Sequence, residues 1–444
     1  MRALAALLVL VFLVFAAWRS EPFRPTVVLE TPVAAVGRAT PIRVTAEDRG
    51  QGLRRVEIVI ATADGEHVVA AEDFPARGWR GSGVHSAVVE AMVDASAAHL
   101  PEGPAELRIR AADHSWLSHL RRPTTIVQPI AIDLTPPTVV QVSTQHIARR
   151  GGSECLVYRV SDDTTAHGVQ VGERFFPGSD GIFADATLRA ALFPLPPDAP
   201  DARPMLVVAD AAGNRRTVPA DVTVKPHQFR EDSLTITDDF IAGKIVPLLV
   251  DNQLAQDGDQ VAEYLRVNRD LRAATEARVQ AICRESAPAP LWQGPFVRLP
   301  NAAPLAGFGD HRTYLYGGKV IDHATHLGWD LASLKQSPVP AANAGRVVFA
   351  GPLGIYGNAV IIDHGFGLFT LYGHLSEIAV AKDAPVGRDT ILGKTGETGL
   401  AGGDHLHWSV MIHGVHVDPT EWIDGHWITD HVEARLAAFP RRSP

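Results

Sequence analysis

At 444 residues the chain is too long for one ordinary hydrophobic core, so two to four domains are expected. Its net charge of −9 is spread along the chain and forms no basic face, which disfavours nucleic acid as a partner. The two cysteines, Cys155 and Cys283, fall in different expected domains, which excludes a disulfide framework and a cysteine-ligated zinc site.

Residues 4–18 form a nearly unbroken apolar run behind Arg2. The run is short for a membrane span and suits a signal peptide or short signal anchor, assigned here to residues 1–24. The chain is therefore expected to be exported, to the periplasm or cell envelope. Arg19 and the prolines after it favour an uncleaved anchor, which makes the inner membrane a partner.

Residues 25–134 alternate in short runs: Ile42, Val44 and Ala46 face one way, and Leu107, Ile109 and Ala111 repeat the pattern. Glycine-rich turns between such strands predict a β-sandwich of immunoglobulin-like size. The segment then repeats, Pro25-Thr26-Val27-Val28 recurring as Pro137-Thr138-Val139-Val140, which predicts a second sandwich over residues 135–226. The acidic turns at Asp48, at Asp162-Asp163 and after Ala112 and Ala209 are expected to be solvated loops, because no recognisable spacing of oxygen ligands marks a calcium site.

Residues 227–295 lose strand alternation. Val261, Leu265, Leu271 and Ile282 recur at helical intervals and Asp259 is a candidate N-cap, so this segment reads as a helical spacer closed by a proline-rich linker. From residue 296 alternation and glycine punctuation return, predicting antiparallel hairpins up to residue 431, with 432–444 as a tail. The 296–431 span is expected to fold and bind metal by itself. Eleven of the nineteen histidines lie between His311 and His431.

One stretch there carries chemistry, Asp404-His405-Leu406-His407-Trp408. On a strand His405 and His407 share a face while Leu406 and Trp408 point to a core. His326 and Asp330 are four residues apart, a spacing that returns to one side of a helix or strand. Two imidazoles and one carboxylate are the donor set of a catalytic zinc site that keeps a fourth position for water. The same donors also suit a non-haem iron oxygenase.

His326-x-x-x-Asp330, the run Gly357-Asn358-Ala359-Val360-Ile361-Ile362-Asp363-His364-Gly365, the run Leu371-Tyr372-Gly373-His374-Leu375, and Asp404-His405-Leu406-His407 stand in an order that resembles the M23 zinc metallopeptidases, the lysostaphin/LytM-like peptidoglycan endopeptidases. The resemblance implies a C-terminal antiparallel-β domain with one Zn2+ per chain held by His326, Asp330 and His407. It implies His374 and His405 as catalytic histidines, and peptidoglycan stem peptides or cross-links as substrate for zinc-activated water. It also marks Gly309, Arg312 and Val417-Asp418-Pro419 as framing motifs. Trp329 and Ser409 depart from the residue types common at their positions. His311, His323, His364, His413, His416, His426 and His431 are expected at the surface or behind the site. The competing reading is a catalytically silent LytM-like protein that binds or activates at the wall.

Overall fold

The computed structural model describes residues 2–78, 82–199 and 201–442. The fold is mainly β and multidomain, as expected. It packs as two compact units, one holding the chain up to Thr138 together with Asp163–Ala166 and Val208–Arg216, the other holding the rest.

In the first unit the apolar run forms one helix, Arg2–Arg19. Among the described residues no helix is long and apolar enough to cross a membrane. A three-stranded sheet (Thr26–Leu29, Thr40–Glu47, Ser86–Val93) and a five-stranded sheet with Gly103–Asp113 and Leu53–Thr62 at its centre supply one shared core. The alternation holds: Ile42, Val44, Ala46, Leu107, Ile109 and Ala111 are all buried there.

The acidic turns differ from expectation. Asp162 and Asp163 are exposed, but Asp48, Asp113 and Asp210 are only 2%, 3% and 7% exposed. Each folds back to accept backbone N–H groups of its own turn, which tucks the carboxylate under the chain.

In the second unit, Ser153–Val160 pairs antiparallel with Leu188–Pro194 and Val139–Gln141. Its buried Cys155, Val157, Ala190 and Leu192 share one apolar cluster with Trp292, Phe296, Trp422 and Leu436 far down the chain. Both cysteines are free thiols in apolar surroundings.

The C-terminal region is built on an eight-stranded antiparallel sheet. Its order runs Ala303–Ala306, Trp329–Ala332, Leu406–Ile412, Leu368–Leu375, Asn358–Asp363, Gly345–Pro352, Pro385–Val386, with Val415–Val417 also on Leu406–Ile412. One face carries Leu331, Val360, Ile362, Tyr372, Leu406 and Trp408 into the cluster just described. The other face carries Ala359, Ile361, Phe369, Leu371 and Met411.

That second face is covered by the helical segment. Helical runs over 238–251 and 260–282 start at Thr237 and at the predicted Asp259, whose carboxylate accepts from Val261 N and Ala262 N. Ile245, Leu249, Tyr264, Val267, Leu271 and Val279 pack on the sheet. Of the four residues singled out by helical spacing only Leu271 is buried and the other three are half-buried, because a π-helical turn at Arg266–Leu271 rotates the apolar stripe. The segment read as a spacer thus completes the core of the strands that follow it.

Candidate metal centre

The sheet register assembles the site. Asp330 lies directly opposite His407 across an antiparallel pair, and directly opposed residues project to the same face. His326 precedes the Trp329–Ala332 strand and turns its ring to the same spot. His326 Nε2 is 3.0 Å from Asp330 Oδ1, His407 Nδ1 is 2.9 Å from the same oxygen, and the two nitrogens are 3.2 Å apart. Ligands at ordinary zinc distances in a tetrahedron stand about 3.3 Å apart, so this triangle has the right size for one metal ion.

The other ring nitrogens determine which atoms face inward. His326 Nδ1 donates to Gly307 O at 2.7 Å, and His407 Nε2 donates to Ser409 Oγ at 2.9 Å. The Ser409 hydroxyl in turn donates to Leu327 O. Each imidazole therefore turns a bare lone pair toward Asp330, an arrangement that repels itself unless a cation or a proton sits between. His326, Asp330 and His407 are at most 9% exposed. Burial opposes charge on Asp330, but the neighbouring His326, His405 and His407 outweigh it and hold its carboxyl well below the usual range. Burial pushes His407 down to about 4, which favours the neutral, metal-binding form.

His374 and His405 stand beside the triangle, their rings 4.8 Å apart. His405 Nε2 is 3.5 Å from Asp330 Oδ1, and its Nδ1 donates to Gly403 O. Burial opposes its charge, but the Asp330 carboxylate outweighs burial and raises its pKa. His374 sits in a β-bulge: Gly373 and His374 together face only Ala359, and His374 has φ +62°. The bulge turns its ring off the strand's alternation and into the cleft, at the cost of a left-handed backbone. Its Nδ1 donates to Thr398 O, and burial with the neighbouring His405 and His407 lowers it to about 3.

All five residues singled out from sequence therefore meet in one place, lining a cavity of about 270 Å³. Leu234, on the strand Glu231–Thr235, and Phe240, Tyr264 and Arg272 from the helical runs line it too. The cleft is apolar on that side and polar at its floor. Trp329 lines none of it; it packs on Trp408 on the opposite face of the sheet.

Several neighbours were not legible as site residues. Arg312, noted only as part of a framing motif, donates to Asp330 Oδ2 at 3.0 Å and occupies the oxygen turned away from the histidines. Tyr356 lays its ring 5.1 Å from His407 and donates to Glu276 Oε1, whose other oxygen accepts from His416. Tyr356 stands immediately before the Gly357-Asn358 motif and was findable; Glu276 lies on a helix and carried no signal. His364 is a core residue: fully buried, it donates from Nδ1 to Ala344 O and meets Thr370 Oγ1 with Nε2.

Three buried residues that could hold a metal ion, on an antiparallel sheet with two further histidines beside them, define a candidate metal centre. Residues 324–419 match the model of Peptidase family M23, so the C-terminal region carries an M23 peptidase domain. DD-carboxypeptidase/endopeptidase Mpg of Neisseria meningitidis serogroup B is 42% identical over 94 residues, 21% of this chain and 22% of that protein. Peptidoglycan DD-endopeptidase ShyA of Vibrio cholerae serotype O1 is 38% identical over 91 residues, 20% of this chain and 21% of that protein. The chain thus matches only about a fifth of the length of these relatives. The catalytic domain of lysostaphin from Staphylococcus simulans superimposes with a TM-score of 0.24 and 27% identity, over 28% of this chain and 92% of that one.

Proposed function

We propose that this chain is an exported zinc metalloendopeptidase that hydrolyses peptide bonds in peptidoglycan stem peptides or cross-links. The observation that carries the reading is the Asp330–His326–His407 triangle, with each imidazole's far nitrogen hydrogen-bonded so that three lone pairs converge. Relatives named for peptidoglycan and DD-endopeptidase activity support the substrate class. The apolar N-terminal helix supports export to the envelope.

In this reading His326 Nε2, Asp330 Oδ1 and His407 Nδ1 hold zinc. Zinc there would supply Lewis acidity toward a peptide carbonyl and toward water. Arg312 holds the second Asp330 oxygen and keeps the carboxylate in one orientation. His405, whose charge Asp330 favours, donates a proton at Nε2 to the developing oxyanion or the leaving amine. His374 keeps its proton on Nδ1 and presents Nε2 as an acceptor. The apolar wall of Leu234, Phe240 and Tyr264 excludes water from the far side of the cleft.

The test is digestion of purified sacculi by the chain, with peptides identified by mass spectrometry. Release should stop with a chelator and return with Zn2+. A zinc-loaded chain that binds sacculi but frees no peptide would be a silent binding protein instead.

A further inference from the structure

The first unit holds a second cluster of oxygen ligands, remote in sequence from every residue used above. Glu21, Asp48 and Asp113 each offer one carboxylate oxygen within 4.8 Å of the other two. They come from three places: the segment just after the N-terminal helix, the turn between Thr40–Glu47 and Leu53–Thr62, and the end of Gly103–Asp113.

The turn is shaped to receive them. Asp48 Oδ2 accepts from Gly50 N at 2.9 Å and Gly52 N at 2.7 Å, and Glu21 Oε1 accepts from Gln51 N at 2.5 Å. A Cβ on Gly50 would stand 1.8 Å from the Glu21 carboxylate, and Gly52 has φ +84°. Glycine at both positions lets the carboxylate lie flat on the turn. Asp113 Oδ1 accepts from Ser115 N, and Ser115 Oγ donates to Glu21 O, which ties the third strand end to the same place.

An independent observation points to a missing ligand. Asp48 is 2% exposed, and its Oδ1 has no hydrogen-bond partner among the described residues. No salt bridge reaches Glu21, Asp48 or Asp113 among the described residues. Of the nearby cationic groups, Arg19 bonds Gln51 Oε1, His85 Nδ1 bonds Asp48 O and Arg121 bonds Pro22 O, while the charges of Arg54 and His85 favour ionised Asp113 and Glu21 respectively. Burial, helped by the charge of Asp48, holds Glu21 and Asp113 above the usual carboxylate range against the hydrogen bonds that Gln51 N gives Glu21 and that Ser115 N and the Ser118 side chain give Asp113. A buried carboxylate oxygen left unpaired is unfavourable unless a cation or proton meets it.

The turn at Asp210 shows what the same motif looks like when it closes on itself. Asp210 Oδ1 accepts from Ala212 N and Asn214 N, and Oδ2 accepts from the Asn214 side-chain amide. Both Asp210 carboxylate oxygens are met there, and the atom left without a partner is the neutral amide oxygen Asn214 Oδ1. At Asp48 the corresponding neutral donor is absent and two further carboxylates stand in its place.

We infer that Glu21, Asp48 and Asp113 form a binding site for a divalent, oxygen-preferring cation, calcium, which fastens the segment after the N-terminal helix to the end of the first sandwich. Calcium suits this irregular, all-oxygen set, since it tolerates six to eight ligands in flexible geometry and takes backbone and water oxygens beside carboxylates. Bound there, it neutralises the mutual repulsion of the three carboxylates and joins three chain segments at one point.

The test is calorimetric titration of the zinc-loaded full-length chain with CaCl2, beside thermal unfolding with and without Ca2+. The wild type should take up one Ca2+ and unfold at higher temperature in its presence. Glu21→Gln, Asp48→Asn and Asp113→Asn should each weaken binding by about tenfold or more and abolish the thermal shift, whereas Asp210→Asn should leave binding unchanged. Glu21→Gln alters a half-buried residue before the first strand, so it reports even if Asp48→Asn fails to fold. Absence of Ca2+ uptake by the wild type, or variants that bind as it does, would overturn the site and leave a shared proton as the occupant.

Discussion

At the residue scale, the ligand and catalyst roles proposed for the five site residues fail differently when removed. Asp330→Ala or His407→Ala deletes one of three protein bonds to the metal, so zinc content should collapse and activity with it. His374→Ala removes a group that touches the reacting atoms and not the triangle, so zinc should stay near one per chain while turnover falls by roughly 10²- to 10⁴-fold. Zinc by elemental analysis beside initial rates separates the two, and an emptied site in His374→Ala with metal retained in Asp330→Ala would reverse the roles. His364 makes a different prediction, about stability. Burial lowers its pKa from 6.5 to about 4, so between these values the unfolded chain binds a proton that the folded chain refuses. Its contribution is intact above pH 6.5 and is lost as pH falls toward 4, worth roughly 3 kcal/mol over the window. His364→Asn should flatten that part of the stability profile measured by urea unfolding; an unchanged acid slope would rule the residue out as its source.

At the element scale, the β-bulge at Gly373-His374 and the helical segment over 238–282 decide what the site looks like. The bulge is why a strand with every residue from Leu368 to Leu375 buried still delivers a histidine to the cleft. The helices explain why alternation fades in the central strands: both faces of the sheet are covered, so burial no longer distinguishes odd from even positions. Leu249 is fully buried between helix and sheet, and Leu249→Ala should cost about 2–5 kcal/mol in denaturant unfolding of the second unit. A loss below ~1 kcal/mol would mean that the helices rest on the sheet without stabilising it. Phe240 lines the cleft while remaining half-exposed. Phe240→Ala should raise kcat/KM for cross-linked muropeptides more than for a short linear peptide if this wall limits entry, whereas equal ratios would assign it to packing.

At the scale of the whole molecule, the packing of the second unit makes the boundary proposed at residue 296 testable. A fragment of residues 296–431 carries every proposed ligand, yet it would expose Ile361, Phe369, Leu371 and Met411, which the helices cover. It would also end at His431 and omit Arg435, both of which bond the fully buried Glu154 outside the fragment and help hold its carboxyl down to about 2 against burial. The fragment should therefore aggregate or bind a hydrophobic dye, while residues 139–442 should yield a soluble, zinc-binding protein. A monomeric, cooperatively unfolding 296–431 fragment would restore the simpler boundary. The 135–226 strands would then be a separable module in function as well as in sequence.

The strand alternation of residues 25–134 and the N-cap at Asp259 could be read from local periodicity, and His326, Asp330, His405 and His407 from their spacing, whereas His374 and the division into ligands and catalysts came only from the resemblance to the M23 family. Asp330 and His407 are 77 residues apart, but both lie in short motifs, and strand geometry alone says which neighbours share their face. The rest was decided by tertiary contact. That Asp48 and Asp113 are buried depends on where distant strand ends meet. That Glu276 stands behind Tyr356, and that a helical stretch is a wall of the cleft, depends on which apolar face the sheet leaves uncovered. Periodicity shows that a helix has an apolar side; only the folded chain supplies the surface against which that side is buried.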